Sequence, residues 1–213
     1  MLRDVTTNEL FTILIVIGIV FIALAKLLDP KRFNDFVLVV RNSKYLKIYA
    51  RDQKFLDAFD GLLFINLIIS SSIFLLILHT LMIGDVEISI GILLKLIFGI
   101  GVFILIKVLI ERLIGSLFEI DILIDQYLFQ KISYKNFIGI VLLPINALLI
   151  YSLNASIKIV FIILFLLLVI SIIGLITSFK AHQSLIKKNM FYFILYLCAL
   201  EIAPYLILYK VML

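Results

Sequence analysis

A single carboxylate interrupts the last apolar stretch of the sequence, FYFILYLCALEIAPYLILYK, at residues 191–210. Glu201 stands in its middle, and Pro204 follows within one helical turn. An acidic group inside a bilayer is costly, so it must be protonated, paired or in contact with water. Pro204 lacks an N–H group, so it leaves a carbonyl oxygen free one turn earlier in the helix. Because Cys198 and Tyr205 lie three and four residues from Glu201, all these groups are predicted to form one intramembrane polar site.

The role of Glu201 has three interpretations. It can tie helices together through hydrogen bonds, bind a substrate or proton during transport, or meet a cation on a partner subunit. Asn146 in the fourth apolar segment can donate a hydrogen bond to it, and Asn66 and Ser70 in the second segment are further candidates. Since no basic residue is expected at the same depth, the sequence predicts a protonated or hydrogen-bonded carboxyl group.

Residue combinations typical of enzymes and metal sites are missing from the sequence. It contains no GxSxG, HExxH or paired-aspartate motif, so a catalytic role is not expected. One cysteine and two distant histidines exclude an internal disulfide framework and a four-cysteine metal site within one chain. We therefore expect no cofactor and no bound metal.

The composition indicates the elements that must position these residues. Of 213 residues, 64% are hydrophobic and only 15% are charged, and the mean hydropathy is +1.26. A soluble domain is less apolar, and a membrane β-barrel would show short alternating segments in place of unbroken apolar runs. The predicted fold is an all-α polytopic membrane helix bundle forming one domain over residues 1–213. Its six predicted spans are residues 10–28, 61–83, 88–114, 137–153, 157–179 and 189–211.

The distribution of basic residues predicts the orientation of the bundle. Fifteen of the 19 Lys and Arg residues fall at or between the ends of spans one and two, three and four, and five and six. The positive-inside rule places these segments in the cytoplasm and both termini in the periplasm. An alternative is a cleaved signal peptide ending near FIALAK, but the preceding MLRDVTTNEL lacks the basic flank that such a peptide needs.

The basic loop at residues 29–60 is the longest predicted cytoplasmic segment. Its apolar residues follow helical spacing, which predicts an amphipathic helix lying on the inner membrane surface. Arg41, Lys44, Lys47 and Arg51 are candidate docking residues for anionic lipid headgroups or an acidic protein partner. Nucleic acid is not an expected partner.

A second cytoplasmic segment, SLFEIDILIDQYLFQKISYKNF, is compatible with a short interfacial helix that carries an acidic patch of Glu119, Asp121 and Asp125. Beside it, Lys107 and Glu111 are four residues apart and are expected to form a local pair at the membrane interface.

Two stretches resemble a known family. FILYLCALEIAP at residues 193–204 and the pattern DPKRF…RNSKYL…FDGLLFINL are similar to the domain of unknown function 4271 family, multi-spanning inner-membrane proteins of Bacteroidota. The resemblance implies a bacterial inner-membrane location, and it carries over Tyr196, Cys198, Glu201 and Pro204 as matches to the terminal motif. It implies no activity.

Two functions are consistent with these features. The first is a non-enzymatic inner-membrane component of envelope machinery that docks a cytoplasmic or membrane partner. The alternative is a small secondary transporter, or a carrier of lipids or small molecules, that uses Glu201.

Overall fold

The computed structural model describes residues 5–41, 44–49, 57–84, 90–118, 120–152 and 156–181. Within these ranges the chain is helical and contains no strand. The sixth predicted span, with Tyr196, Cys198, Glu201, Pro204 and Tyr205, lies outside the described residues. The described helices are α1 (Val5–Leu28), α2 (Pro30–Val37), α3 (Lys44–Tyr49), α4 (Ala58–Ile83), α5 (Ile90–Leu117), α6 (Asp121–Tyr151) and α7 (Ile157–Ala181).

Five of these helices are long and apolar enough to cross a membrane, which confirms the predicted all-α polytopic class. The stretches that meet this criterion by length and composition are Glu9–Leu28, Ala58–Met82, Ile90–Leu117, Ile124–Tyr151 and Ile157–Gly174. Many of their large apolar side chains are exposed, as expected for a surface that faces lipid. α4 ends where Gly84 adopts a φ of 103°, a conformation that favours glycine, and its N–H donates to the Thr80 carbonyl at 3.1 Å.

Two amide hydrogen bonds set α4 and α6 parallel and in register. Asn136 Nδ2 donates to the Asp60 carbonyl at 3.3 Å, and Asn146 Nδ2 donates to the Ser70 carbonyl at 2.8 Å. The sequence separation is 76 residues in both pairs, so the two helices keep the same direction and spacing. Gly139 permits this close approach, because a Cβ atom there would lie 2.7 Å from the Leu67 Cα.

The register shows that α6 extends well beyond the bundle. Asn136 lies level with the first turn of α4, so the preceding part of α6 continues about 22 Å further at 1.5 Å per residue. The structure differs here from the sequence-based expectation of a span beginning near residue 137 after a short interfacial helix. Residues 121–151 form one helix, because Ile124, Tyr127 and Leu128 bury apolar side chains in a cluster shared with α5.

The end of the bundle where α1 stops at Leu28 and α4 starts at Ala58 is here called the charged end. At this end α2, α3 and residues 121–135 of α6 form a folded layer, here called the platform. Asp29 caps α2 by accepting the Arg32 N–H at 2.9 Å, and Pro30 occupies the first turn, where a missing N–H is tolerated.

The apolar faces of α2 and α3 pack on protein. Phe36 and Tyr45 have no exposed surface, and their rings lie 5.3 Å apart. Tyr45 also packs 5.6 Å from the Phe129 ring, and Phe36 lies 6.4 Å from the Phe137 ring, both on α6. The expected helical spacing is therefore present, and these aromatic side chains are buried against α6.

Candidate functional site

Arg32 on α2 is the centre of a buried ion-pair network at the charged end. Its Nη1 donates to Asp57 Oδ2, and its Nη2 donates to Asp60 Oδ2 at 2.7 Å. Only 7% of the Arg32 side chain is exposed, against 40% for Asp57. The guanidinium therefore joins α2 to the first turn of α4 in a largely dry environment.

Aromatic side chains enclose the same guanidinium. Arg32 Cζ lies 4.5 Å from the Phe59 ring centroid and 5.4 Å from that of Tyr49, distances typical of cation–π contacts. Arg32 Nε donates to the Tyr45 hydroxyl at 3.4 Å. The Arg32 guanidinium on α2 therefore contacts both α3 and the start of α4.

The pKa values of this cluster follow from burial and its charges. Burial alone would lower the pKa of Arg32, but Asp60, Tyr45 and Asp57 together raise it, so the guanidinium stays charged. Burial raises the pKa of the Tyr45 phenol, and the Asp60 carboxylate raises it further. Burial and the Asp35 carboxylate also raise the pKa of Tyr49. The tyrosines are therefore neutral hydrogen-bonding groups at physiological pH.

A second buried ion pair joins α5 to α6. Lys131 Nζ donates to Glu111 Oε1 at 2.6 Å, and the Glu111 side chain is fully buried. Lys107, which the sequence suggested as the local partner of Glu111, is also buried one turn earlier on α5. α5 and α6 form a hairpin that extends past the first turn of α4. The ion pair between Lys131 and Glu111 joins the two helices of this hairpin.

A polar group lies near half depth in the bundle. Asn66, Ser70 and Asn146 have no exposed surface. Ser70 Oγ lies 3.5 Å from Asn66 Oδ1, while Asn146 donates to the Ser70 carbonyl as described above. Asn66 Nδ2 and Asn146 Oδ1 form no hydrogen bond in the described part of the chain. These two atoms can therefore receive an additional polar group.

A groove of about 250 Å³ opens between α4, α5 and α6 next to the Arg32 network. Two carboxylates stand at one end, and the walls are apolar. A Cβ atom added to Gly61, which lines the groove, would meet no atom within 4 Å. The lining residues are Asp57, Asp60, Gly61, Phe64, Leu105, Val108, Leu109 and Ile132.

The structure brings together only part of the residues that the sequence singled out. Asn146 is buried and hydrogen-bonded to α4, whereas the site residues of the sixth span lie outside the described residues. Arg41 is exposed, and Lys44 is exposed with its Nζ 3.4 Å from Asp35 Oδ1. The Lys47 side chain and Arg51 lie beyond what the structure describes.

The network of Arg32, Asp57 and Asp60 was not predicted from the sequence. One available signal was the three-residue spacing of the two aspartates at the start of a span, which places both carboxylates on one helix face. Within the described ranges, no three His, Cys, Asp or Glu side chains group closely enough to hold a metal ion.

Comparison with known proteins places the chain in a family without assigning it a reaction. No significant match was found among curated proteins or among solved structures. One family model matches residues 11–212, and therefore nearly the entire chain. The chain belongs to the family described as Domain of unknown function (DUF4271).

Proposed function

We propose that the protein is a non-enzymatic membrane component that docks an acidic protein partner on its platform, at the cytoplasmic face of a bacterial inner membrane. The observation that supports this proposal is the construction of the platform. Three segments are locked together by a buried Arg32, although burying a charge is expensive. A fixed shape outside the bilayer is the property that a docking surface requires.

The position of α3 favours a protein partner over lipid headgroups. Tyr45 packs on Phe129, seven residues before the register point Asn136, so α3 lies about 10 Å beyond the first turn of α4. The headgroup layer of each leaflet is only about 5–8 Å thick. The exposed charges of Lys44 and Arg41 therefore lie beyond most of the headgroup layer.

In-cell photo-cross-linking tests this proposal. A photo-reactive residue replaces Leu38, which is 49% exposed beside the basic surface. We expect one protein to be captured, and Arg41→Glu with Lys44→Glu to lower its yield about tenfold or more. Lys158→Glu, which reverses an exposed charge at the opposite end of the bundle, is the matched control and is expected to change nothing.

Rescue by charge exchange makes the test specific. Reversal of the acidic residues cross-linked on the partner is expected to restore capture by the doubly reversed protein. Cross-links to lipid alone, or capture that is insensitive to charge reversal, would contradict docking through the platform.

The polar group at half depth favours a second candidate, a small transporter or carrier that uses Glu201. Ser70 lies about 18 Å along α4, the depth that the sequence predicts for Glu201 in its own span. Asn66 Nδ2 and Asn146 Oδ1 offer one donor and one acceptor, which match a protonated carboxyl group. Flux into proteoliposomes that is abolished by Glu201→Gln and reduced by Asn146→Leu, with assembly intact, would support this candidate.

A further inference from the structure

The groove between α4 and α5 has the shape and polarity of a site for one end of an amphiphile. Its lining residues at the start of α4 extend from Asp57 to Phe64, about 10 Å along the helix axis. Leu105 and Leu109 form its outer wall and are 46% and 55% exposed. Because this wall belongs to the lipid-facing surface of α5, a hydrocarbon chain can enter sideways from the bilayer.

The carboxylate end determines which headgroup fits. Asp57 is the residue before α4, and the apolar stretch of α4 begins at Ala58, so we place Asp57 at the level of the lipid headgroups. One of its oxygens accepts from Arg32, while 40% of its side chain remains exposed at the groove. An ammonium group can donate to this carboxylate, whereas a headgroup with only negative charge would be repelled.

We propose that this groove binds an acyl chain of a phospholipid whose headgroup carries a primary ammonium, as in phosphatidylethanolamine. The chain lies against Phe64, Leu105 and Val108, and the ammonium donates a hydrogen bond to the Asp57 carboxylate. Arg32 holds that carboxylate in place and takes no part in binding the lipid. The lipid is bound without any chemical change.

Gly61 provides a direct way to close the groove. An added Cβ atom there would meet no atom within 4 Å, so the side chain of Gly61→Leu is expected to extend into the apolar part of the groove. Gly99→Leu is the matched control, because Gly99 also lies in a helix, faces open space and is not part of the groove.

The experiment uses the full chain in phosphatidylcholine vesicles with trace amounts of a phospholipid carrying a diazirine on one acyl chain. Cross-links are located by mass spectrometry. We expect the ethanolamine lipid to label α4 and α5 near Phe64 and Leu105 about tenfold more than the glycerol lipid, as one charge-assisted hydrogen bond predicts. Gly61→Leu should lower this labelling about tenfold, while Gly99→Leu keeps it.

Two further comparisons make the outcome decisive. Asp57→Asn should remove the preference for ethanolamine over glycerol lipid while chain labelling persists, and size-exclusion profiles check that the variants remain folded. Equal labelling by both lipids in the unaltered protein would overturn the proposal without any variant. Labelling that survives Gly61→Leu unchanged would overturn the assignment to this groove.

Discussion

Arg32 is the residue on which the charged end most depends. Its guanidinium pairs with Asp57 and Asp60 and lies over Phe59, with only 7% of the side chain exposed. Removing one partner of a buried pair costs more than the pair contributes, because the remaining charge stays buried without compensation. Arg32 is therefore important mainly because its removal would leave the Asp57 and Asp60 carboxylates without a counter-charge.

Arg32→Gln is predicted to lower the free energy of unfolding by about 3 kcal/mol. The change can be measured by denaturant titration in mild detergent. Lys31→Gln alters the exposed neighbour on the same helix and should stay within about 0.5 kcal/mol of the unaltered protein. Equal stability of both variants would show that the buried network contributes nothing.

Tyr45 gives the charged end a predicted dependence on pH. Burial raises the pKa of its phenol above the ordinary value of 10.0, so the folded state prefers the neutral form. Below about pH 10 the phenol is neutral in both states and has no effect on the pH dependence of stability. Above that pH the unfolded chain ionises first, so stability should fall as pH rises.

Tyr45→Phe is expected to reduce this loss of stability above about pH 10, because it removes one group that ionises more readily after unfolding. The free energy of unfolding should be compared at neutral and alkaline pH in both proteins. An unchanged slope in Tyr45→Phe would mean that the phenol contributes nothing to the alkaline loss.

At the scale of elements, the contact between α4 and α6 organises the described bundle. It combines two amide hydrogen bonds in constant register with close backbone packing at Gly139. Small residues let membrane helices approach closely, and packing replaces the hydrophobic driving force that lipid does not supply. α6 also runs uninterrupted through Pro144.

Gly139→Ala is predicted to destabilise the bundle by about 1–3 kcal/mol, because the new Cβ atom would meet the backbone of Leu67 and the helices must separate. The unfolding free energy in detergent measures the effect. Gly99→Ala adds the same methyl group in open space and should be neutral or slightly stabilising. Similar results for the two variants would argue against a tight contact at Gly139.

At the scale of the whole molecule, most charged residues in the described ranges lie at one end of the bundle. This follows from the directions in which the helices run. The exposed residues Lys31, Arg41 and Lys44 lie there, as do the pairs of Arg32 and Glu111. The positive-inside rule predicts that this end faces the cytoplasm. The docking proposal depends on this orientation, because the side that the platform faces determines the compartment in which a partner must be found.

Single-cysteine labelling can test the orientation in a Cys198→Ser background. We predict that a membrane-impermeant maleimide labels Ser156→Cys in cells with a permeabilised outer membrane, and labels Lys31→Cys only after the inner membrane is opened. Both positions are exposed, so access to the reagent is the only intended difference. The reverse pattern would place the platform outside the cytoplasm.

The sequence by itself determined the membrane class and the helical content. These properties depend on the length and polarity of local segments, because a chain crossing hydrocarbon must satisfy its backbone hydrogen bonds within each helix. The expected hydrogen bond from Asn146 to Glu201 stays a prediction, and within the described residues the Asn146 amide donates to the Ser70 carbonyl.

Only the tertiary structure decided which charges meet and which surfaces are covered. Arg32 finds Asp57 and Asp60 at separations of 25 and 28 residues, and Lys131 finds Glu111 across a hairpin. The extension of α6 is likewise stabilised by contacts with α3 and α5 and was not visible as a continuous apolar run. Such pairings depend on how separate helices pack in space, and neither apolar periodicity nor charge counting specifies them.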